Sequence, residues 1–369
     1  MARTPGSKNK HPTPKTVRKM FLNDDKERKL MSNNNIHQYD NRELNKEHYK
    51  TKRTINGYSF REFKKQYLYS KTVIFQLWTE LFKINNEIKE GDVLMTLDYL
   101  RYFTSQHERA KKFGVSEKTF GVVISKVLLA SKRLKQVQFS DRINHKNIKD
   151  RTSSSAENGF FITVVGSTTC PLKTKQDILY NSDQKIYGLK YEICVAIDNG
   201  KIFSVYGPKD GSAIDLTVCR EHLLKLQLKN GERIIGDNGY AGEKNILTPH
   251  KKIKGQTQTD IQYLENKYIK NYGLIVENVF GKLKQFACLR LPWNLGYSKH
   301  ASAFSLLVFL HNLAIQNDEE EKKKNVNEES NQFVDTDEEY EKEMEEEMKE
   351  KEVEEFVWDE GNDEFLIIY

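Results

Sequence analysis

Near residue 158 the apolar residues of this chain change their spacing, from the three-and-four rhythm of helices to the alternation of strands. That switch demands a helical region followed by a sheet-bearing one. Upstream, Phe60, Phe63, Tyr67, Val73, Phe75, Leu77 and Leu81 fall at mixed helical spacings with a break near Ser70, and the pattern continues through residues 91–131. Downstream, "GFFITVVGST", "LKYEICVAID" and "GKIFSVYGPK" read as three meandering strands, the last two joined by a tight "DNG" turn at 198–200. A helix containing Asp215 follows, then the buried strand of "ERIIGDNGYAG", then the amphipathic helix of "GLIVENVFGKLKQFACL".

Five segments result: a disordered basic arm (1–55), a helical domain (56–135), a linker (136–157), a sheet domain (158–317) and a disordered acidic tail (318–369). The helical domain has a helix-turn-helix layout. Ala110 and Phe113 close a short helix, Gly114 takes the left-handed turn position and Ser116 caps the next helix, where Phe120, Val123, Ile124 and Val127 form one apolar stripe. Such a hairpin either meets DNA or simply packs on its neighbour, and spacing alone does not choose. If it meets DNA, the contacting residues are Ser116, Lys118, Thr119 and Lys126, joined by Lys282 and Lys284 of the later helix.

Charge is divided sharply. Residues 318–369 hold 23 acidic side chains against 6 lysines, so a whole-chain net charge of +6 leaves an excess of about 23 positive charges on the rest. A body of that sign suits a polyanionic partner, because each cation placed on a phosphate releases counterions. The tail is expected to fold back over the body and compete with such a partner. There is no apolar run of membrane-spanning length and no signal-like start, so the expectation is nucleus or cytosol, with no membrane partner. The four cysteines lack zinc-like or disulfide-like spacing and are expected to be reduced and buried.

The order β-β-β-α-β-α is similar to that of an RNase H-like nuclease core, giving an α+β or α/β chain with a mixed sheet. Phosphoryl transfer in such a core uses two divalent metals about 4 Å apart, held by a few carboxylates. Those acids come from the end of the first strand, the end of the fourth strand and a later helix. Asp237 of "IIGDNGY" and Glu277 of "VENVFGKLK" stand at the second and third places. A plain Asp-Asn-Gly turn and a solvated helix face are the ordinary alternatives for them.

"GSAID", "GDNGY", "VENVFGKLKQF" and "LLVFLHNL", with the preceding helical stretch, resemble the motif set of the PIF/Harbinger transposase-derived nucleases, which are DDE superfamily endonucleases. The resemblance covers about residues 57–316. It implies a nuclear DNA-binding protein that uses Mg²⁺ or Mn²⁺ when active, with double-stranded DNA as substrate and a Myb-like protein as partner; a homo-oligomer stays open. It also implies that Glu277 is the final acid and that Asp215 or Asp237 is the middle one, topology favouring Asp237 and spacing favouring Asp215.

Two departures follow from the same alignment. Gly166 of "VVGSTTCP" stands where the first aspartate belongs, and Gly273 stands where a basic residue usually precedes the final acid. Ser167 and Thr168 are neutral and cannot replace a metal-bridging charge. The expectation is therefore a DNA-binding relative with an incomplete acid triad and impaired cleavage. An active metal-dependent nuclease or transposase, and a scaffold without DNA contact, are the alternatives.

Overall fold

The computed structural model describes residues 53–144, 160–229, 231–251 and 257–323. The expectations for the basic arm up to residue 52, for residues 145–159 of the linker and for the tail beyond 323 lie outside the described residues.

The helical region contains α1 (Phe60–Tyr67), α2 (Lys71–Ile84), α3 (Glu90–Tyr102), α4 (Gln106–Lys112) and α5 (Glu117–Ser131). Serine explains most of the starts. Ser59, Ser70, Ser105 and Ser116 each accept a hydrogen bond from a backbone N–H in the first turn, satisfying a donor the helix cannot pair internally. The α4–α5 hairpin has the expected shape: Gly114 adopts φ +60°, and Phe120, Val123, Ile124 and Val127 are buried.

The sheet is built outward from β1 (Phe160–Pro171). This strand pairs antiparallel with β3 (Ile186–Ala196), which pairs antiparallel with β4 (Ile202–Asp210). On its other side β1 pairs parallel with β5 (Glu232–Ile235), and β5 parallel with β6 (Ile246–Leu247). The order is β4-β3-β1-β5-β6, with β2 (Tyr180–Asn181) added on β3. A helical region followed by a mixed sheet with helices is the α+β, RNase H-like arrangement expected.

Three details differ from the expectation. The first strand runs beyond the expected "GFFITVVGST" to Pro171: β3 extends the ladder, so Gly166, Ser167 and Thr168 pair in register with Ile193, Glu192 and Tyr191. The helix α6 (Asp215–Glu221) is shorter than its apolar pattern, because His222 leaves helical geometry to stack on Tyr206 and meet the Ser204 hydroxyl. The helix α7 (Asp260–Leu283) begins earlier than expected, at a capping box formed by Thr259 and Gln262.

Both faces of the sheet are covered, which is why β3 reads as a near-continuous buried run. On one face Val165, Cys194, Ala196, Phe203 and Ile234 pack with Cys219 and Leu223. On the other lies α7, burying Val276, Val279, Phe280 and Leu283, with the last helix of this unit, α8 (297–313), beside it. From α8, Phe304 stacks on Tyr191 at 3.9 Å, and the His300 ring meets the Tyr191 hydroxyl at 2.8 Å. Burial without a charged partner pushes the His300 imidazole down to about 3.

The helical region and the sheet belong to one compact unit ending at Leu313. Phe103 stacks on Trp293 at 5.0 Å, and the Ser131 hydroxyl donates to the Ser302 carbonyl. Between them, Arg142 is buried and donates twice to Glu232 of β5 at 2.6 Å, and also to the Phe139 and Gln227 carbonyls. The second unit begins at Ala314; its described residues, 314–323, are helical. All four cysteines are free and buried.

Candidate functional site

The side chains that carry charge into the sheet converge near the start of α6. Asp215 is the first residue of that helix, where a carboxylate suits the exposed N–H groups. Its Oδ1 accepts hydrogen bonds from the Ser167 hydroxyl of β1 at 2.6 Å and from the Lys190 ammonium of β3 at 2.8 Å. Lys190 also donates to the Ala213 carbonyl, and its side chain is 7% exposed against 25% for Asp215.

Asp237 follows β5 and caps a short turn, its Oδ1 accepting from the Gly239 backbone N–H at 2.8 Å. It is thus both the strand-end acid and the ordinary Asp-Asn-Gly turn. A Cβ built on Gly239 would lie 2.9 Å from Asp237 Oδ1 and 3.0 Å from Asp215 Oδ2. The two carboxylates therefore flank one point in space, and only a glycine leaves it open. Crowding by protein holds the Asp237 carboxyl above its ordinary range; the Gly239 N–H opposes this, and the charges of Asp215 and Glu277 add to it.

Glu277 lies on the solvent side of α7, one residue after the buried Val276. The structure thus brings Asp215 and Asp237 side by side and sets Glu277 within charge reach of Asp237.

Two residues that motif reading passed over complete the cluster. Lys190 and Glu192 alternate with buried apolar residues of β3, so both project from the face that carries Ser167. Glu192 is 2% exposed. Burial pushes its carboxyl up to about 8, opposed by the Tyr240 hydroxyl and Lys190 and reinforced by Asp215. The signal was present: two ionisable residues inside an otherwise apolar central strand must find partners or lose charge.

The strand position assigned to the first acid has a different environment. A Cβ on Gly166 would project away from this cluster and lie 3.0 Å from both Val276 γ carbons and 3.6 Å from Phe280. At Gly166 the side chains of α7 press against β1 and leave no room for a carboxylate. The β1 side chain that reaches Asp215 is Ser167.

The divalent metals generally used by DDE endonucleases can be tested against these donors. Among the described residues no group of three His, Cys, Asp or Glu side chains could hold a metal ion. β1 supplies a hydroxyl instead of a carboxylate, and the Asp215 oxygen best placed for a cation is already bound to an ammonium. The residues present do not fit a metal pair.

The nucleic-acid candidates are placed unequally. Lys118 and Lys282 are exposed, Lys284 is half-buried, and the Ser116 hydroxyl is engaged with Thr119 in capping α5. Lys126 pairs with Asp92 at 2.7 Å and donates to the Glu87 carbonyl.

Residues 163–312, well under half of the chain, match the family described as DDE superfamily endonuclease. The match runs from β1 into α8 and takes in Asp215, Asp237 and Glu277. No curated protein and no solved structure matches the chain. No described helix is long and apolar enough to cross a membrane.

Proposed function

We propose that this chain is a transposase-derived protein of the DDE nuclease type that binds double-stranded DNA and does not cut it. One observation carries the reading: where a metal-dependent nuclease needs converging, uncompensated carboxylates, Asp215 is hydrogen-bonded to Ser167 and paired with Lys190. The resemblance of its motif set supports a PIF/Harbinger affiliation, and with it we propose a Myb-like partner and residence in the nucleus. The basic body supports DNA as the partner, and exposed Lys118 and Lys282 are the contacts we assign first.

Fluorescence anisotropy with a labelled duplex, repeated over a range of salt, tests the binding. The reading expects log affinity to fall linearly with log salt, and Lys118→Glu with Lys282→Glu to weaken binding to unrelated sequences alike. A flat salt response would eliminate DNA as the ligand and leave the scaffold alternative.

A further inference from the structure

We infer that Arg101, Arg109 and Lys112 form a seat for the sugar-phosphate backbone of duplex DNA, where α3 ends and α4 begins. The inference rests on the DNA-binding reading and gives it a preorganised contact beyond the exposed lysines. Three observations support it. The three cationic heads gather around one ring, lying 5.4, 4.9 and 5.6 Å from the centre of Tyr102. Two of them are held in place. The buried Asp98 carboxylate accepts from Lys112 and, at 3.5 Å, from Arg109, whose other nitrogens meet the Thr104 hydroxyl and the Glu108 carboxylate, each at 2.8 Å. The third has no anion: among the described residues Arg101 makes no ion pair, and its Nη1 is enclosed without a hydrogen-bond partner.

The charge balance is uneven. Arg109 and Lys112 share Asp98, whose carboxylate also accepts from Gln66, and the Glu108 side chain is 57% exposed, so solvent screens it. Three cations thus stand against one buried carboxylate and one at the surface, and positive charges so close repel one another. A phosphate supplies the missing negative charge, and its oxygens match the fork of a guanidinium. The position in the fold selects a backbone phosphate. Arg109 and Lys112 lie one turn apart on α4, the first helix of the α4–α5 hairpin, and in a helix-turn-helix that helix crosses the DNA backbone while the next enters the groove. The Arg109 side chain, 14% exposed and held by three groups, loses little freedom when the phosphate arrives.

The test is the salt dependence of duplex binding by the full chain, read by fluorescence anisotropy on variants whose folding is checked by thermal melting. Arg101→Gln is expected to reduce the slope of log affinity against log salt by about 0.9, which is about eightfold weaker binding at about 0.1 M salt, alike for unrelated sequences. Adding Lys112→Gln should reduce the slope again by a similar amount. Arg101→Lys should keep the slope, because an ammonium on the phosphate releases the same counterion. Lys83→Gln, at an exposed ion pair on α2, should change neither slope nor affinity. Arg101→Gln should melt with the wild type, having no ion pair to lose; if it does not fold, Lys112→Gln alone is read by the same criterion. A wild type that binds duplex with a slope that Arg101→Gln and Lys112→Gln leave unchanged overturns the inference and spares the DNA-binding reading. Equal losses in Lys83→Gln also overturn it, since any surface cation would then serve. A wild type that does not bind duplex overturns both.

Discussion

Replacing Gly166 by alanine tests whether this position is an emptied ligand slot or a packing contact. The new Cβ would meet both γ carbons of Val276 at 3.0 Å. Rotating the valine about χ1 still leaves one methyl in the contact, so full relief requires the α7 backbone to move away from β1. Overpacking of this kind costs about 1–3 kcal/mol. Removing a glycine from the unfolded ensemble returns about 0.4–1 kcal/mol. The net expectation is a loss of about 1–2 kcal/mol, or roughly 3–6 °C in melting temperature for a unit of this size. Gly166→Asp adds a carboxylate pressed against Val276 and Phe280, and is expected to be more damaging and to create no nuclease. Thermal melts of Gly166→Ala, Val276→Ala and the double variant form a cycle. The reasoning predicts that Val276→Ala relieves part of the Gly166→Ala penalty. A Gly166→Ala protein as stable as wild type, or one unaffected by Val276→Ala, would refute the close-packing account.

Arg142→Met should destabilise the fold by about 3–5 kcal/mol, because it leaves the Glu232 carboxylate buried without its partner; urea unfolding followed by circular dichroism reads this, and a loss below about 1 kcal/mol contradicts it. His300 and Glu192 make opposing contributions to the pH dependence of stability. The folded His300 stays neutral down to about 3, so the unfolded chain binds more protons below about 6.5 and this group lowers stability as pH falls. The folded Glu192 keeps its proton up to about 8, so above about 4.3 the unfolded chain binds fewer protons and this group lowers stability as pH rises. Each slope approaches about 1.4 kcal/mol per pH unit within its own window. Melts from pH 4.5 to 8 should therefore show Glu192→Gln flattening the decline between about 6.5 and 8, and an unchanged decline would remove Glu192 as its source.

The helices, the three long strands and their order were readable because periodicity, serine caps and turn glycines act locally. The proximity of Asp215 and Asp237 was half-readable: each stood out by motif, but only the structure shows that α6 and the β5 turn bring them together beside Gly239. The environment of Gly166 was not readable. Its meaning depends on which face of β1 each residue takes, set by pairing with β3, and on α7 packing against that face through Val276. Lys190 was missed for a related reason. In sequence a lysine in a strand resembles many solvated lysines, and only the coverage of both faces of β3 turns it into a buried cation paired with Asp215.

The central claim is that this DDE-type fold holds DNA without metal-dependent cleavage, and a direct measurement is incubation of the wild-type chain with supercoiled and linear duplex DNA in Mg²⁺ and in Mn²⁺. The account predicts binding that weakens with salt and no nicked, cut or joined product above the metal-only control. Product that requires the protein and metal, and that disappears in Asp237→Asn, would contradict it.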